Sequence, residues 1–354
     1  MNTIQKIEIG LWMLLSLQLF SCKGEKDENT PDVKHIQTEL KLYRFEKELE
    51  KLDSSALAID IKKLCSTHPA FCNLYFNSIL QMPFQMDQTD PEFGLQLKMF
   101  LYHPSNIRLS AKLKLAIPED EILHKSLELS LRYFKYYFPE TREPVFYTAF
   151  CDFSYGNFIF EHESGADGLG IGLEFFAGEH IDYKTIDPEN PVFSDYIKRS
   201  LNADHLLPRT WDAWLEDRIQ VPASSQLLDF IIQRGKKLYI LKTLLPHVAD
   251  TAVFDMSVDQ LQWCRNNKME IWSFFLAQKL LYSSELMKIN KYVNPSPNSP
   301  GMPENAPGRT GSYIGYELVK AYMKNNPDTR LVDLLETDDS QSFLQKSRFK
   351  PRNE

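Results

Sequence analysis

The 354-residue chain is poor in cysteine, has no excess of basic charge and contains no hydrophobic run long enough to cross a bilayer. Five cysteines are too few for a disulfide scaffold of this size. With 40 basic against 48 acidic residues the formal net charge is −8, which argues against nucleic acid as a partner, because phosphate binding needs a basic face. No two of the eight histidines, at 35, 68, 103, 124, 162, 180, 205 and 247, lie four apart, so the sequence has no His-Glu-x-x-His helix. A zinc hydrolase needs three protein ligands and an open position, and none is expected here, nor any cofactor. Gly-x-Ser-x-Gly is also missing, which removes the serine nucleophile elbow. Repeats and low-complexity tracts are absent. What remains is the composition of a folded, acidic globular protein, 43% hydrophobic and 25% charged.

The N-terminus is the first segment with information. Leu11 to Phe20 is an apolar run ending at Ser21-Cys22. It is shorter than the roughly 20 residues a span requires and fits the core of a secretory signal. Leu19-Phe20-Ser21-Cys22 reads as a bacterial lipobox, although Phe20 is bulky for its place and Glu8 beside Lys6 leaves the start without positive bias. We expect residues 1–21 to be a signal peptide and Cys22 to carry the lipid. Residues 22–34 then form a charged tether that cannot join a core. Cys65 and Cys72 are spaced to pair across a helix end, and spacing alone does not decide whether they do.

The mature body, residues 35–354, reads as one globular α+β unit, mainly α-helical with a small antiparallel β-meander. Residues 35–142 open with a strand from Ile36 to Phe45 and continue as helices broken near Pro69, Pro91, Pro104 and Pro118. Residues 143–178 carry short aromatic runs, Val145–Phe150, Asn157–Phe160 and Leu169–Leu173, separated by turn signals, which read as the meander. Gly170 and Gly172 lie opposite Leu169, Ile171 and Leu173, so something packs over bare backbone there. Residues 179–354 are helical. One long helix opens at Ser224-Ser225 and is interrupted at Arg234-Gly235-Lys236-Lys237. A capping box, Ser257 with Gln260, starts a helix running to Leu281. Another runs from about Gly308 to Asn326 and stops before Pro327, after a proline-rich loop at 294–308. Gly311 and Gly315, one turn apart, would let another helix come close.

Candidate chemistry is thin. The run Gly165-x-x-Gly168-x-Gly170-x-Gly172 sits in a strand pattern with no helix start to hold a phosphate. Cys65, Cys72, Cys151 and Cys264 have apolar or aromatic neighbours, which favours inert buried thiols. Glu161 and Glu163, two apart on a strand, would share a face and raise each other's pKa, making them the candidate catalytic pair of a hydrolase; a solvated strand face is the plainer reading.

Leu227–Gly235 with Leu238-Tyr239, Gln262-Trp263-Cys264, Trp272, Pro307-Gly308-Arg309-Thr310-Gly311-Ser312-Tyr313-Ile314-Gly315-Tyr316 and the terminal Ser347–Arg352 together resemble the GldB family of gliding motility lipoproteins of Bacteroidota. Tyr43-Arg44-Phe45-Glu46 and the lipobox agree. The resemblance is tight from about residue 220 and loose between about 60 and 145. It implies a cell-envelope protein held in a membrane by its lipid, on the periplasmic or surface side of the outer membrane. It also implies contacts with other envelope proteins of the gliding or secretion machinery, and no established enzyme activity. The layout is also distantly similar to zinc peptidases, with Arg234-Gly235 where those carry a Glu-Gly pair and the metal-binding helix lost. That likeness implies a metal-free, peptidase-like cleft involving Arg234, Gly235, Arg309, Gly311 and Gly315. The other class of function, an envelope hydrolase using Glu161 and Glu163 in a sheet-lined cleft, stands as the alternative.

Overall fold

A computed structural model describes residues 30–86, 91–219 and 225–353; Cys22 and the expected signal lie outside the described residues. The chain is α+β and mainly helical, around a single four-stranded sheet. The strands are β1 (Lys41–Arg44), β2 (Val145–Ala149), β3 (Asn157–Glu161) and β4 (Asp167–Gly172), in the spatial order β1-β2-β4-β3. Only β3 and β4 pair antiparallel; β1 with β2 and β2 with β4 are parallel, so the expected antiparallel meander is corrected to a mixed sheet. The reason lies in β2, whose five residues are all buried. A strand covered on both faces carries no alternation to announce its neighbours, and parallel partners must be reached by long crossovers. The first of these takes the whole N-terminal helical region, from α1 (Phe45–Glu50) onward.

The β3–β4 hairpin explains the glycines of β4. Phe160 lies opposite Gly168 and Phe158 opposite Gly170, and a Cβ on either glycine would meet the facing ring at about 2.2 and 2.1 Å. The two phenyl rings lie over bare backbone, a pairing that restores packing area to a glycine strand. Gly172 instead meets the Tyr155 carbonyl.

The sheet separates two hydrophobic cores. On one face Val145, Tyr147 and Ala149 pack with Phe45, Phe71, Tyr75 and Phe76. These come from α1, α3 (Pro69–Asn73) and the wide turn Leu74–Ile79, with α2 (Leu57–Thr67) and α4 (Pro91–Tyr102) outside them. Cys65 and Cys72 are joined, tying α2 to α3. Alongside α4 runs α5 (Pro104–Ala116). The prolines at 69, 91 and 104 each occupy the first position of a helix, where the missing N–H costs nothing.

On the other face Phe146, Leu169 and Ile171 join the larger core. Its helices are α6 (Asp120–Tyr137), α7 (Leu206–Arg218), α8 (Leu227–Leu244), α9 (Val258–Asn266), α10 (Lys268–Ala277), α11 (Leu286–Val293), α12 (Thr310–Asn325), α13 (Leu331–Glu336) and α14 (Ser340–Ser347). The Ser257–Gln260 capping box is formed, but the helix it starts ends at Asn266 and a new one begins at Lys268. The helix expected from Ser224-Ser225 begins at Leu227 behind a capping box of Gln226 and Asp229. It runs through Gly235 without interruption. Lys236 and Lys237 are buried rather than solvated. Lys236 donates to the Thr337 carbonyl and Lys237 pairs with Glu216. Burial lowers the Lys236 pKa to about 8.

Candidate functional site

Helices α8 and α12 cross at backbone contact. A Cβ on Gly235 would sit 2.2 Å from the Gly315 carbonyl carbon, and one on Gly315 would sit 2.0 Å from the Ile231 carbonyl oxygen. Gly311 faces the Tyr292 carbonyl of α11 in the same way, at 2.9 Å. These three sequence-selected glycines therefore meet one another's helices backbone to backbone. Arg234 turns outward to Glu216 and Asn294, at 3.4 and 3.0 Å. Arg309, in left-handed backbone just before α12, reaches a different neighbourhood and pairs with Asp255 at 2.9 Å. The proline-rich loop is pinned beside them: Tyr292 donates to the Pro300 carbonyl at 2.6 Å, and Ser299 to that of Pro307 at 2.7 Å.

One turn beyond Gly235 and one residue beyond Gly315, the same two helices present Tyr239 and Tyr316, their rings 6.3 Å apart. Here they wall a cavity of about 490 Å³, within the size range of small-ligand and peptide sites. The end of α6 adds Tyr136, Tyr137 and Phe138, and the start of α13 adds Leu331 and Val332. Thr30 and Pro31 also line it, and Val33, expected within the tether, is buried in the larger core. Both cations on the wall are already spoken for. Lys242 pairs with Asp250, and Arg330 grips Asp333 with nitrogens at 3.0 and 2.6 Å, holding that carboxyl down at about 2. Five aromatic rings favour a peptide rich in apolar or proline residues, and the Glu140 carboxylate on the wall disfavours a phosphate. Sequence reasoning missed this cavity. Its signal was present in the Tyr136-Tyr137-Phe138 run and in Tyr239 and Tyr316, but aromatic residues in helices usually mark core.

Glu161 and Glu163 sit elsewhere, at the far end of the hairpin. Glu161 is the last residue of β3, exposed and opposite Asp167, while Glu163 lies beyond the strand in the turn. Glu163 does take part in a second constellation that sequence reading did not assemble. Ser164 N–H donates to His162 Nδ1 at 3.1 Å, which fixes the proton of that ring on Nε2. His162 Nε2 faces Glu163 and the Tyr147 hydroxyl, each at 3.2 Å. The hydroxyl also hydrogen-bonds with His68 Nδ1 at 2.9 Å, and His68 Nε2 faces Glu48 at 3.4 Å. These contacts link five residues in a chain, Glu163–His162–Tyr147–His68–Glu48. Burial keeps His68 below its ordinary pKa and pushes the Tyr147 phenol well above its own.

A third feature is a lone buried acid. Glu174 accepts from the N–H groups of Cys151 and Phe153, at 2.7 and 2.8 Å, through one oxygen. Its other oxygen has no hydrogen-bond partner among the described residues. Burial raises its pKa to about 7. Asp152 and Phe153, between and at those donors, both hold left-handed backbone, a strain these two hydrogen bonds help to fix. Among the described residues no group of His, Cys, Asp and Glu is arranged to hold a metal, and no helix is long and apolar enough to cross a membrane.

No curated protein and no solved structure matches the chain. The sequence model of the gliding motility protein GldB matches residues 26–351. The chain belongs to the GldB family of gliding motility proteins.

Proposed function

We propose that this protein is a lipid-anchored component of the cell envelope that supports gliding motility, or the secretion machinery associated with it, by gripping other envelope proteins rather than by catalysis. The observation that carries the reading is the aromatic cavity between α6, α8, α12 and α13, lined in part by Thr30 and Pro31. A site at the root of the tether would receive an extended segment of a neighbour anchored in, or passing through, the same membrane. Its wall offers rings and neutralised cations, a surface for holding a chain. The lipobox at Cys22 supports attachment, and the sequence gives no reason to place the protein on nucleic acid.

Two experiments test this. Replacing Cys22 with Ser should move the protein from the membrane fraction to the soluble fraction; undiminished membrane association would reject the lipid anchor. A photo-crosslinking amino acid at Tyr136, which is exposed at the cavity mouth, should trap a defined envelope protein in living cells, and Tyr239→Ala together with Tyr316→Ala should abolish that product and impair spreading on a surface. Normal spreading of a stably folded double variant would reject the cavity.

The alternative, an envelope hydrolase, is favoured by the contact of Glu163 with His162 inside the chain to Tyr147 and His68. Turnover of a peptidase or glycosidase substrate that is lost on changing Glu161 and Glu163 to Gln would establish it over the first reading.

A further inference from the structure

Helices α4 and α5 form a hairpin, α4 packed on the N-terminal core through Phe93 and Leu97 and α5 on the larger core through Leu113, and both turn apolar residues to solvent. On α4, Leu95, Met99 and Tyr102 follow at i, i+4 and i+7, and on α5 Ile107 and Leu115 stand two turns apart with exposed Ala111 between them. The five large side chains are between 44% and 75% exposed. Scattered exposed apolar residues need no explanation, but two neighbouring helices with apolar stripes do.

Charge says what covers them. The protein is acidic overall, yet residues 91–116 contain four basic residues, Lys98, Arg108, Lys112 and Lys114, and one acidic residue, Glu92. Lys98 is one turn from both Leu95 and Tyr102, and Lys112 follows Ala111. Lys114 is engaged with Glu50 at 2.8 Å, whereas Lys98, Arg108 and Lys112 are exposed beside the stripes. Apolar side chains flanked by cations, with an aromatic at the helix end, are the composition of helices that lie in a membrane interface. This local reversal of sign complements an anionic lipid surface.

We infer that the α4–α5 hairpin is a membrane-contact face, laying Leu95, Met99, Tyr102, Ile107 and Leu115 into the headgroup layer of an anionic bilayer. The inference is independent of the cavity. It gains from the proposed lipid anchor, because the eight links from Cys22 to Thr30 reach at most about 29 Å and would keep the body close to the surface. Seated there, the hairpin would fix which side of the body faces the membrane.

The test uses the full chain with Cys22→Ser, so that acylation is absent, labelled with an environment-sensitive dye at Ile107→Cys. Cys151 and Cys264 are buried and Cys65 and Cys72 are paired, so the new thiol is the one that reacts. Vesicles containing phosphatidylglycerol should shift the dye emission to the blue, while pure phosphatidylcholine vesicles should shift it little. A dye at Lys346→Cys, on exposed α14, should not respond to either. Leu95→Glu with Met99→Glu should weaken the response to phosphatidylglycerol on the order of tenfold, and Lys98→Gln with Lys112→Gln should remove much of its dependence on anionic lipid. No shift at position 107, an equal shift at position 346, or a response that ignores both double variants would overturn the inference. None of these outcomes bears on whether Cys22 is acylated, which the fractionation above decides.

Discussion

The two faces of the sheet are covered in different ways. On the C-terminal side α8 and α12 cross backbone against backbone, with Gly235 and Gly315 in contact and a continuous core behind them. On the N-terminal side the cover is a thinner layer. Short helices stack aromatic rings onto Tyr147, with Phe71 parallel to it at 4.2 Å, and a disulfide secures the turn carrying His68. The α4–α5 hairpin beside that layer leaves apolar stripes in solvent. One side is held by a contact that tolerates no added atom, the other by aromatic area and a covalent staple. The difference teaches where change is forbidden and where the molecule has surface to spare.

The sharpest way to break the comparison is at the helix crossing. Gly315→Val would drive side-chain carbons into the Ile231 carbonyl, and α8 and α12 would have to separate along their length. Overpacking of a well-fitted core costs about 1–3 kcal/mol, and a clash with backbone that cannot move aside lies at or above the top of that range. We expect a loss of about 4 kcal/mol or outright failure to fold, read by urea denaturation, with Gly94→Val, at a site with nothing within 4 Å, as the contrast. Equal losses at both sites would remove the distinction between a forbidden and a permissive glycine.

On the other side the staple should matter next. Cys65 and Cys72 are seven apart in sequence, and closing so short a loop stabilises by about 2–3 kcal/mol on chain-entropy grounds. The double replacement by Ser should lower the unfolding free energy by that amount and loosen the His68 turn, while the C-terminal core keeps its protection from hydrogen exchange. Uniform loss of protection would mean that the two cores unfold as one, and the comparison would then be structural but not energetic.

How much of this was legible follows the same division. Gly311 and Gly315 could be read as a close helix approach because small residues one turn apart have few other uses, and Gly170 could be read as covered because alternation puts it on a face. The partner that covers it, Phe158, follows only from the β3–β4 register, which the hydrophobic pattern does not encode. The parallel pairing of β2 was illegible for a similar reason: a fully buried strand has no period. Gly235 was read as an interruption because its helix cost is a local property, whereas the contact that repays it lies on α12. The burial of Lys236 and Lys237 has no local sign either, because Thr337 and Glu216 lie on other elements. The cavity and the Glu163–His162–Tyr147–His68–Glu48 chain join residues far apart in sequence, where no spacing rule reaches.

The finest contrast is in pH, because burial displaces the pKa of Glu174 on one side and of His205 on the other, and the two act on stability in opposite directions. Glu174, beneath Cys151 of the N-terminal core, keeps its proton up to about pH 7 in the folded chain, against 4.5 for an ordinary glutamate. Between these values the folded state binds the extra proton, so its contribution to stability is full below about 4.5 and is lost as pH rises to 7. His205, beside Asp255 on the C-terminal side, is held by burial at about 4 against 6.5. There the unfolded state binds the extra proton, so stability is lost as pH falls from 6.5 to 4. His68 and His247 are lowered as well and act in the same direction as His205. Within the overlap, pH 4.5 to 6.5, the Glu174 and His205 slopes each amount to about 1.4 kcal/mol per pH unit and oppose each other. The test is therefore in the difference between variant and parent. Glu174→Gln should make unfolding free energy rise more steeply with pH across that window, by up to about 1.4 kcal/mol per unit, and His205→Asn should make it rise less steeply by a similar amount. If both variants tilt the profile the same way, the opposition between the two sides is wrong; if Glu174→Gln leaves the profile unchanged, the acid under Cys151 does not carry its proton near neutrality.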